Sequence, residues 1–544
     1  MIREEITAMF DSIADILQIK GEDPGKVKMY HNLAITISYA LPDEIRSPFD
    51  YELLSNVRGI GPATLEKIAE LVNTGKCQYY EDLKASIPAG VMELLSISGV
   101  GPSTAARLYQ VLNIDSLEAL QKAIDEQRLQ GLKGMGKKTE EKIKLGLEAL
   151  LRHKKLRLMG YVLPDALALV DCLASSLPAC RNISIAGDLR RKTETIRDIQ
   201  IVAVCPDASD IHAALRNTGL ITNIHSDWTE SGGSATLAGD VNMEFKLLDA
   251  KDFGAGMVYF TGSESHIKEL NARANQAGLE PLSWPSPEWT KGRSEEEIYN
   301  SLELPYIIPE LREGTGEISA SVSGKLPKLI ETADIRGDLH IHSTWSDGHQ
   351  TIQAMAEAAR NLGYEYIAFC DHSVSSKIAN GLDIERILNK MIELREINEK
   401  VGGIEILMGA EVDILKNGDL DYPDEILEKL DVVIASIHSG FNMDEASMTK
   451  RIISAIENRF VHILGHPTGR LLAKRDPYLA NMDAVIEAAA ENKKVLEINS
   501  YPDRLDLKDT HIRKAKEKGV KMVINTDAHS ISDLNLIKYG VYTA

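Results

Sequence analysis

The sequence predicts a multidomain protein: an α-helical N-terminal region, an α+β middle and a C-terminal α/β barrel of distorted βα type. Three observations predict it. The chain has 544 residues, long for one domain and comfortable for three or four. Its N-terminal third carries three pairs of glycines spaced one residue apart, each just before a helical stretch. Residues 335–544 alternate helical stretches with short apolar runs that end in His, Asp or Glu, the pattern of buried parallel strands.

Composition narrows the class. Hydrophobic content of 44% is ordinary for a globular protein. Five Cys with no CxxC pair argue against a disulfide framework. No apolar run approaches the roughly 20 residues that span a bilayer, so no membrane partner is expected. The start, Met1-Ile2-Arg3-Glu4-Glu5, is no signal peptide, and the expected location is the cytoplasm. The net charge of −20 runs against nucleic-acid binding, but the charge is uneven. Between Gly131 and Arg157 stand nine Lys/Arg (133, 137, 138, 142, 144, 152, 154, 155, 157) against three Glu (140, 141, 148).

The glycine pairs come first in the chain. Gly59 and Gly61 precede the helical stretch from Ala63, Gly99 and Gly101 the stretch from Ser103, and Gly134 and Gly136 the stretch from Thr139. Glycine lets the backbone turn tightly and approach a ligand. The helix start behind it offers unpaired N–H groups to an anion. This is the helix-hairpin-helix pattern, which grips DNA phosphates without reading bases. A set of ordinary capped turns is the alternative, and three copies, the last in the basic stretch, weigh against it.

The first copy, with Lys67 eight residues after Gly59, also resembles the lyase domain of family X DNA polymerases. That resemblance extends to Lys26 and Tyr30 in the preceding helix and implies a Schiff-base lysine at Lys67. Read from its neighbours alone, Lys67 follows Glu66 on a helix and is a solvated surface lysine.

The middle of the chain reads Ile183 to Arg191, Arg197 to Val204, Val241 to Leu247 and Tyr259 to Ser263. In that order the segments resemble the palm and thumb of family X polymerases. Glu295 to Tyr299 and Leu304 to Glu313 resemble the thumb of bacterial and archaeal members, the PolX type. The family holds two Mg2+ ions on three Asp, two of which alternate on one strand and so share a face. Here the matching positions are Asp198, Gln200 and Glu244. A Gln amide lacks the charge to bridge two cations. The Gly-Ser that cradles the triphosphate is Gly187-Asp188, and the glycine before the first Asp is Arg197. The resemblance therefore implies a polymerase-like palm with a degenerate metal site, in which bound Mg2+ is doubtful. The alternative is that Asp188 or Glu194 supplies the missing carboxylate.

The C-terminal region carries the densest chemistry: His340, His342, Asp347, Asp371-His372, Glu411, His438, His466, Asp527 and His529. Alternation in His340-Ile341-His342 places both imidazoles on one strand face, and Asp527 with His529 repeats the device. A lone His is usually structural, which suits His349, His462 and His511. Two alternating pairs, each at the end of an apolar run, are hard to explain by packing. Strand ends of a βα barrel converge on one face, so one cavity could collect these groups. The mix of nitrogen and oxygen ligands suits zinc, manganese or iron.

The set resembles the PHP (polymerase and histidinol phosphatase) domain. The resemblance implies up to three metal ions, Mn2+ or Zn2+. His340, His342, Glu411 and Asp527 would hold one. Glu411, His438 and His466 would hold the second, with Glu411 bridging. Asp347, His372 and His529 would hold the third. Arg470, after Gly465-His466-Pro467-Thr468-Gly469, has two readings, a phosphate contact or a solvated loop residue.

The expected organisation is a lyase-like domain at 1–85, fingers-like at 86–155, palm-like at 156–250, thumb-like at 251–318, a linker at 319–334 and the PHP domain at 335–544. The expected function is DNA repair by a monomer acting on gapped, nicked or 3′-ended DNA. The PHP domain would be the metal-dependent 3′→5′ exonuclease or 3′-end phosphodiesterase, and the palm weak or inactive. Two enzymes are the rivals: a gap-filling polymerase with a proofreading PHP domain, and a histidinol-phosphate-type phosphatase. A non-enzymatic DNA scaffold is the third, against which the full ligand set stands.

Overall fold

The computed structural model describes residues 3–40, 45, 47–55, 57, 59–97, 99–132, 134–153 and 156–544. The chain forms two compact units, Met1–Lys155 and Leu156–Ala544.

The first unit is helical and is built on two small cores. Ile6, Phe10, Ile13, Leu17, Leu33, Ile37 and Ile68 fill the first; Leu94, Leu108, Leu120, Ile143 and Leu147 fill the second. Helices Pro62–Thr74 and Pro102–Leu112 begin alike. Gly61 and Gly101 cap them in extended conformation, and a proline takes the first turn, where its missing N–H costs nothing. Gly59, Gly99 and Gly134 all have positive φ, 96°, 93° and 82°, a conformation that side chains with a Cβ rarely adopt.

The second unit begins with a β-ribbon, β1 (Arg157–Leu158) against β3 (Thr195–Ile196). Its first sheet contains β2 (Arg181–Ala186), β4 (Asp198–Val204), β5 (Ile221–Ile224), β6 (Gly232–Leu237) and β7 (Val241–Leu247), in the order β2-β4-β7-β6-β5. The β4–β7 pair is parallel and the other pairings are antiparallel. Ile199, Ile201, Met243 and Phe245 point into a core with Leu163, Leu169 and Leu173 of helix Met159–Ser176. Alternation turns Asp198, Gln200 and Glu244 to the other face, with Gln200 directly opposite Glu244.

Helices Phe253–Thr261, Glu264–Gln276 and Glu295–Ser301 close around Val258, Leu270, Ile298 and Ile307. Arg312 is fully buried there and donates to Glu295 Oε2 at 2.6 Å, while Glu295 Oε1 accepts from Arg190 at 2.6 Å. Burial would raise the Glu295 pKa, but the two guanidiniums hold it below the usual carboxylate value.

The C-terminal part is a nearly closed barrel of seven parallel strands in chain order: β8 (Gly337–Ile341), β9 (Tyr366–Phe369), β10 (Glu405–Asp413), β11 (Val432–Ser436), β12 (Ile463–Leu464), β13 (Val495–Asn499) and β14 (Met522–Asn525). The first and last strands meet: His342 N donates to Ala528 O at 2.8 Å, and Leu339 N to Asn525 Oδ1 at 3.0 Å. Ile367, Phe369, Val433 and Leu496 pack on the surrounding helices, while Ala368, Cys370, Ile434 and Ile463 form a separate cluster with Leu339.

Barrel and polymerase-like sheet share a core. Leu472, Leu505 and Tyr539 pack with Leu158 and Met159, and Tyr539 Oη donates to Gly160 O at 2.8 Å. A Cβ at Gly160 would lie 2.6 Å from Pro502 Cβ, so the close approach needs glycine. Residues 319–334 include the end of helix Glu317–Val322 and the turn Thr332–Asp334. One disulfide joins Cys180 to Cys205, and Cys77, Cys172 and Cys370 are free. Among the described residues no helix is long and apolar enough to cross a membrane.

Candidate metal centre

Each residue singled out in the barrel lies at, or just beyond, the C-terminal end of a strand: His340 and His342 at β8, His372 after β9, Glu411 on β10, His438 after β11, His466 after β12, and Asp527 and His529 after β14. Asp347 follows in the loop after β8. Parallel strands wound with one hand bring these ends together.

Glu411 lies in the middle. Its Oε1 is 2.8 Å from His466 Nε2 and 3.2 Å from His438 Nε2; its Oε2 is 2.9 Å from His372 Nδ1, 3.5 Å from His340 Nε2 and 3.8 Å from His342 Nε2. Asp527 Oδ1 faces His342 Nε2 at 3.1 Å and His340 Nε2 at 3.6 Å. Asp347 faces His529 Nε2 at 3.4 Å, His372 Nε2 at 3.5 Å and His342 Nδ1 at 3.7 Å. Three groups have ligand atoms close enough for a shared ion: His342, Asp347, His372 and His529; His340, His342 and Asp527; His372, Glu411 and His438. His342 and His372 thus each belong to two groups, a sharing that the family pattern did not imply.

The donor atoms themselves test whether ions fit. His340 Nε2, His342 Nδ1, His372 Nδ1, His466 Nδ1 and Glu411 Oε2 are buried without an aligned hydrogen-bond partner. Each such orphan costs about 1–3 kcal/mol. Shared cations would satisfy most of them at once, and the imidazole–carboxylate mix is the donor set of zinc, manganese and iron. The residues fit the ions.

A second layer fixes the ring orientations. His340 Nδ1 pairs with Glu497 Oε1 at 2.7 Å, and Asn525 donates to the same oxygen at 2.9 Å. His438 Nδ1 pairs with Asp413 Oδ1 at 2.8 Å, whose Oδ2 accepts from Ser375 and Ser376, each at 2.7 Å. His529 Nδ1 faces its neighbour's carbonyl, Asp527 O, at 2.8 Å. Such partners set which nitrogen is left for a metal. Sequence reading missed Glu497 and Asp413. Both left a signal: Asp413 alternates with Glu411 on one strand, and Glu497 and Asn499 alternate with Leu496 and Ile498.

Electrostatics follow from this crowding. Burial pulls the His438 pKa down, but Glu411 and Asp413 outweigh it and raise it to about 9. His340 is likewise raised by Glu497, Asp527 and Glu411 against burial. His342 goes the other way, to about 4, because burial is reinforced by His529 and His372. Burial pushes Glu411 upward, yet His438, His372 and His340 hold it well below the usual carboxylate value.

Arg470 does not behave as either of its sequence readings. It is buried and spends its guanidinium inside the fold, on Glu194 Oε2 at 2.7 Å, Arg504 O at 2.9 Å and Leu505 O. The same pair accounts for Glu194, which is tied to the barrel rather than offered as a substitute palm ligand. Its partner lies 276 positions away in sequence, which no local pattern reveals.

In the palm-like sheet, Asp198, Gln200 and Glu244 line an open cleft of ≈ 490 Å³ together with His225, Asp227 and Lys246. Lys246 Nζ bonds Glu244 Oε1, so a side-chain cation already sits on one carboxylate. Asp188 Oδ1 accepts from Arg191 Nη2 at 2.7 Å, and Arg191 also pairs with Glu313.

In the first unit, a Cβ added at Gly59, Gly61, Gly101 or Gly136 would meet nothing within 4 Å among the described residues, which leave the approach to these helix starts open. Gly99 and Gly134 are flanked by Lys142 and Arg107 side chains. Lys67 Nζ donates to Ala63 O at 3.2 Å and lies 4.9 Å from the Tyr79 ring centre; Tyr79 stacks on Tyr30. Of the basic stretch, Lys133, Lys154 and Lys155 lie outside the described residues, as do Arg58 and Ser98 of the hairpins.

Comparison with known proteins adds the lineage. Family models match a helix-hairpin-helix domain at residues 1–77, a SAM-like helix-hairpin-helix tandem at 91–149, the DNA polymerase beta thumb at 256–313 and the PHP domain at 338–501. The PHP match stops short of Asp527 and His529, which the barrel brings back to the cluster. Helix-hairpin-helix segments, a polymerase thumb and a PHP barrel therefore stand in one chain. A DNA polymerase/3′-5′ exonuclease PolX of Bacillus subtilis (strain 168) is 37% identical over 552 residues, covering 100% of this chain and 95% of that one. The chain belongs to the PolX family. Its barrel alone is similar to smaller proteins: a probable phosphatase of Thermoanaerobacter sp. (strain X514), 36% identical over 36% of this chain and 80% of the other, and one of Acetivibrio thermocellus, 32% identical over 35% and 78%.

Proposed function

We propose that this chain is a DNA-repair enzyme of the cytoplasm. In this reading its PHP barrel hydrolyses phosphodiesters at DNA 3′ ends in the 3′→5′ direction, and its palm adds nucleotides weakly or not at all. The observation that carries the reading is the gathering of nine His, Asp and Glu residues in one cluster, with Glu411 against five of the imidazoles and buried nitrogens left unpartnered. His340, His342, Asp347, His372, Glu411, His438, His466, Asp527 and His529 would hold Mn2+ or Zn2+. Ions bound there would lower the pKa of water enough to make hydroxide near neutral pH. The chain's own contribution is orientation: Glu497 and Asp413 turn His340 and His438, and Glu411 lies against imidazoles of all three groups.

The hairpins support DNA as the substrate. Their open helix starts would hold phosphates without base preference. The PolX relative is named for both polymerase and exonuclease activity, which keeps gap filling as the second reading. Gln200, the Lys246–Glu244 pair and the Asp188–Arg191 pair weigh against two Mg2+ ions in the palm cleft. The barrel's likeness to probable phosphatases covers only about a third of the chain, and the remaining DNA-type domains argue against a small-molecule substrate.

The test is a primer–template assay with Mn2+, with and without dNTPs. His340→Ala combined with His342→Ala should abolish 3′→5′ degradation, since two ligands are lost together. Undiminished degradation by that variant would sink the assignment.

A further inference from the structure

Arg504 stands at the edge of the metal cluster. Its Nε lies 3.5 Å from Asp527 Oδ2, the oxygen turned away from His340 and His342. The side chain keeps 20% of its exposure, so it borders both the cluster and solvent. Beyond the Asp527 contact its guanidinium makes no hydrogen bond among the described residues, in contrast to Arg470, Arg451 and Arg475, whose donors are taken by carbonyls or carboxylates.

The backbone around Arg504 is held firmly. Arg504 N donates to Tyr501 O at 2.7 Å, and Arg470 Nε donates to Arg504 O at 2.9 Å. Leu472 N holds Asp503 O at 2.6 Å, and Asn499 N holds Asp506 O at 2.6 Å. Arg470 is in turn anchored by Glu194, on the polymerase-like side. A guanidinium with free donors, on a fixed backbone beside a set of metal ligands, is built for a phosphate oxygen: its planar fork matches phosphate geometry, and charge-assisted hydrogen bonds are the strong ones.

We propose that Arg504 binds the non-bridging oxygens of the scissile phosphate, and that Glu194 and Arg470 are positioning residues that set it from the polymerase-like domain. The phosphate contact that sequence reading sought at Arg470 falls to Arg504 instead. The proposal rests on the barrel's being a phosphoesterase, but it is tested by binding and not by turnover.

The experiment titrates inorganic phosphate into the full-length, Mn2+-loaded protein by calorimetry and counts bound manganese in parallel. Arg504→Ala should weaken phosphate binding by about tenfold or more with the manganese count unchanged, and Arg504→Lys should keep part of the affinity. Glu194→Gln should weaken it by about threefold, again at full manganese occupancy, because Arg470 loses the carboxylate charge that holds it against Arg504 O. Phosphate affinity unchanged in Arg504→Ala would overturn the proposal. So would affinity lost only together with manganese, which would reduce Arg504 to a prop for Asp527. If the wild-type protein fails to degrade DNA but the phosphate results hold, the substrate reading fails and this one stands.

Discussion

His438 is held by Asp413: Nδ1 lies 2.8 Å from the carboxylate, which leaves Nε2 turned to Glu411 at 3.2 Å. Asp413 is itself fixed by two serine hydroxyls. The ring therefore enters the cluster already oriented.

Asp413→Asn should lower Mn2+ affinity by about 10–100-fold while leaving the fold intact. Metal titration followed by calorimetry measures the first, and circular dichroism the second. Unchanged metal affinity would show that the Asp413 contact is incidental.

Protons and metal should compete at the cluster. The His438 pKa stands at about 9 against an ordinary 6.5, and His340 and His372 are also raised. A raised imidazole is charged at neutral pH, so its charge stabilises the metal-free fold fully below about 6.5, and that stability is lost as pH climbs through about 9. Binding a metal must expel these protons. Mn2+ affinity should thus rise between pH 6.5 and 9, with net proton release visible as a buffer-dependent binding enthalpy. The metal-free protein should lose melting temperature over the same interval more than the loaded one does.

Palm activity should be feeble and hard to restore. With His340→Ala and His342→Ala removing degradation, dNTP incorporation should stay close to background. Gln200→Asp alone should not rescue it, because Lys246 still occupies Glu244 and Asp188, paired with Arg191, still stands where the family has Ser. Robust gap filling in a primer-extension assay would show that the cleft holds its metals after all.

DNA affinity should reside largely in the first unit. A protein of residues 156–544 should bind DNA much more weakly than the full chain yet still hydrolyse a small phosphoester. Full-length affinity should fall steeply with salt as phosphate contacts release counterions. Fluorescence anisotropy across a salt series measures both, and equal affinity of the two proteins would move the DNA-binding surface to the palm or barrel.

Much of the site was legible because strand periodicity writes it into the sequence. His340 and His342 share a face by alternation, and His466 and Asp527 follow short apolar runs that read as buried strands. Asp413 and Glu497 obey the same rule and could have been found by it. Arg470 could not: its partner Glu194 comes from another sheet, and a basic residue after Gly-His-Pro-Thr-Gly looks the same whether it meets a phosphate or a carboxylate. The sharing of His342 and His372 between ligand groups depends on ring rotation, which no spacing encodes.

The hydrogen bond from His342 N to Ala528 O has a consequence for how the protein becomes active. It is a seam between the first and last strands, and ligands lie on both sides of it: His340 and His342 on one, Asp527 and His529 on the other. Zipping that seam and assembling the cluster are one event. A nascent chain has no working fraction of the site until its final strand is docked, and bound ions would then act as rivets across the join. Shortening the chain before Asp527 would therefore yield an opened ring, not a smaller enzyme.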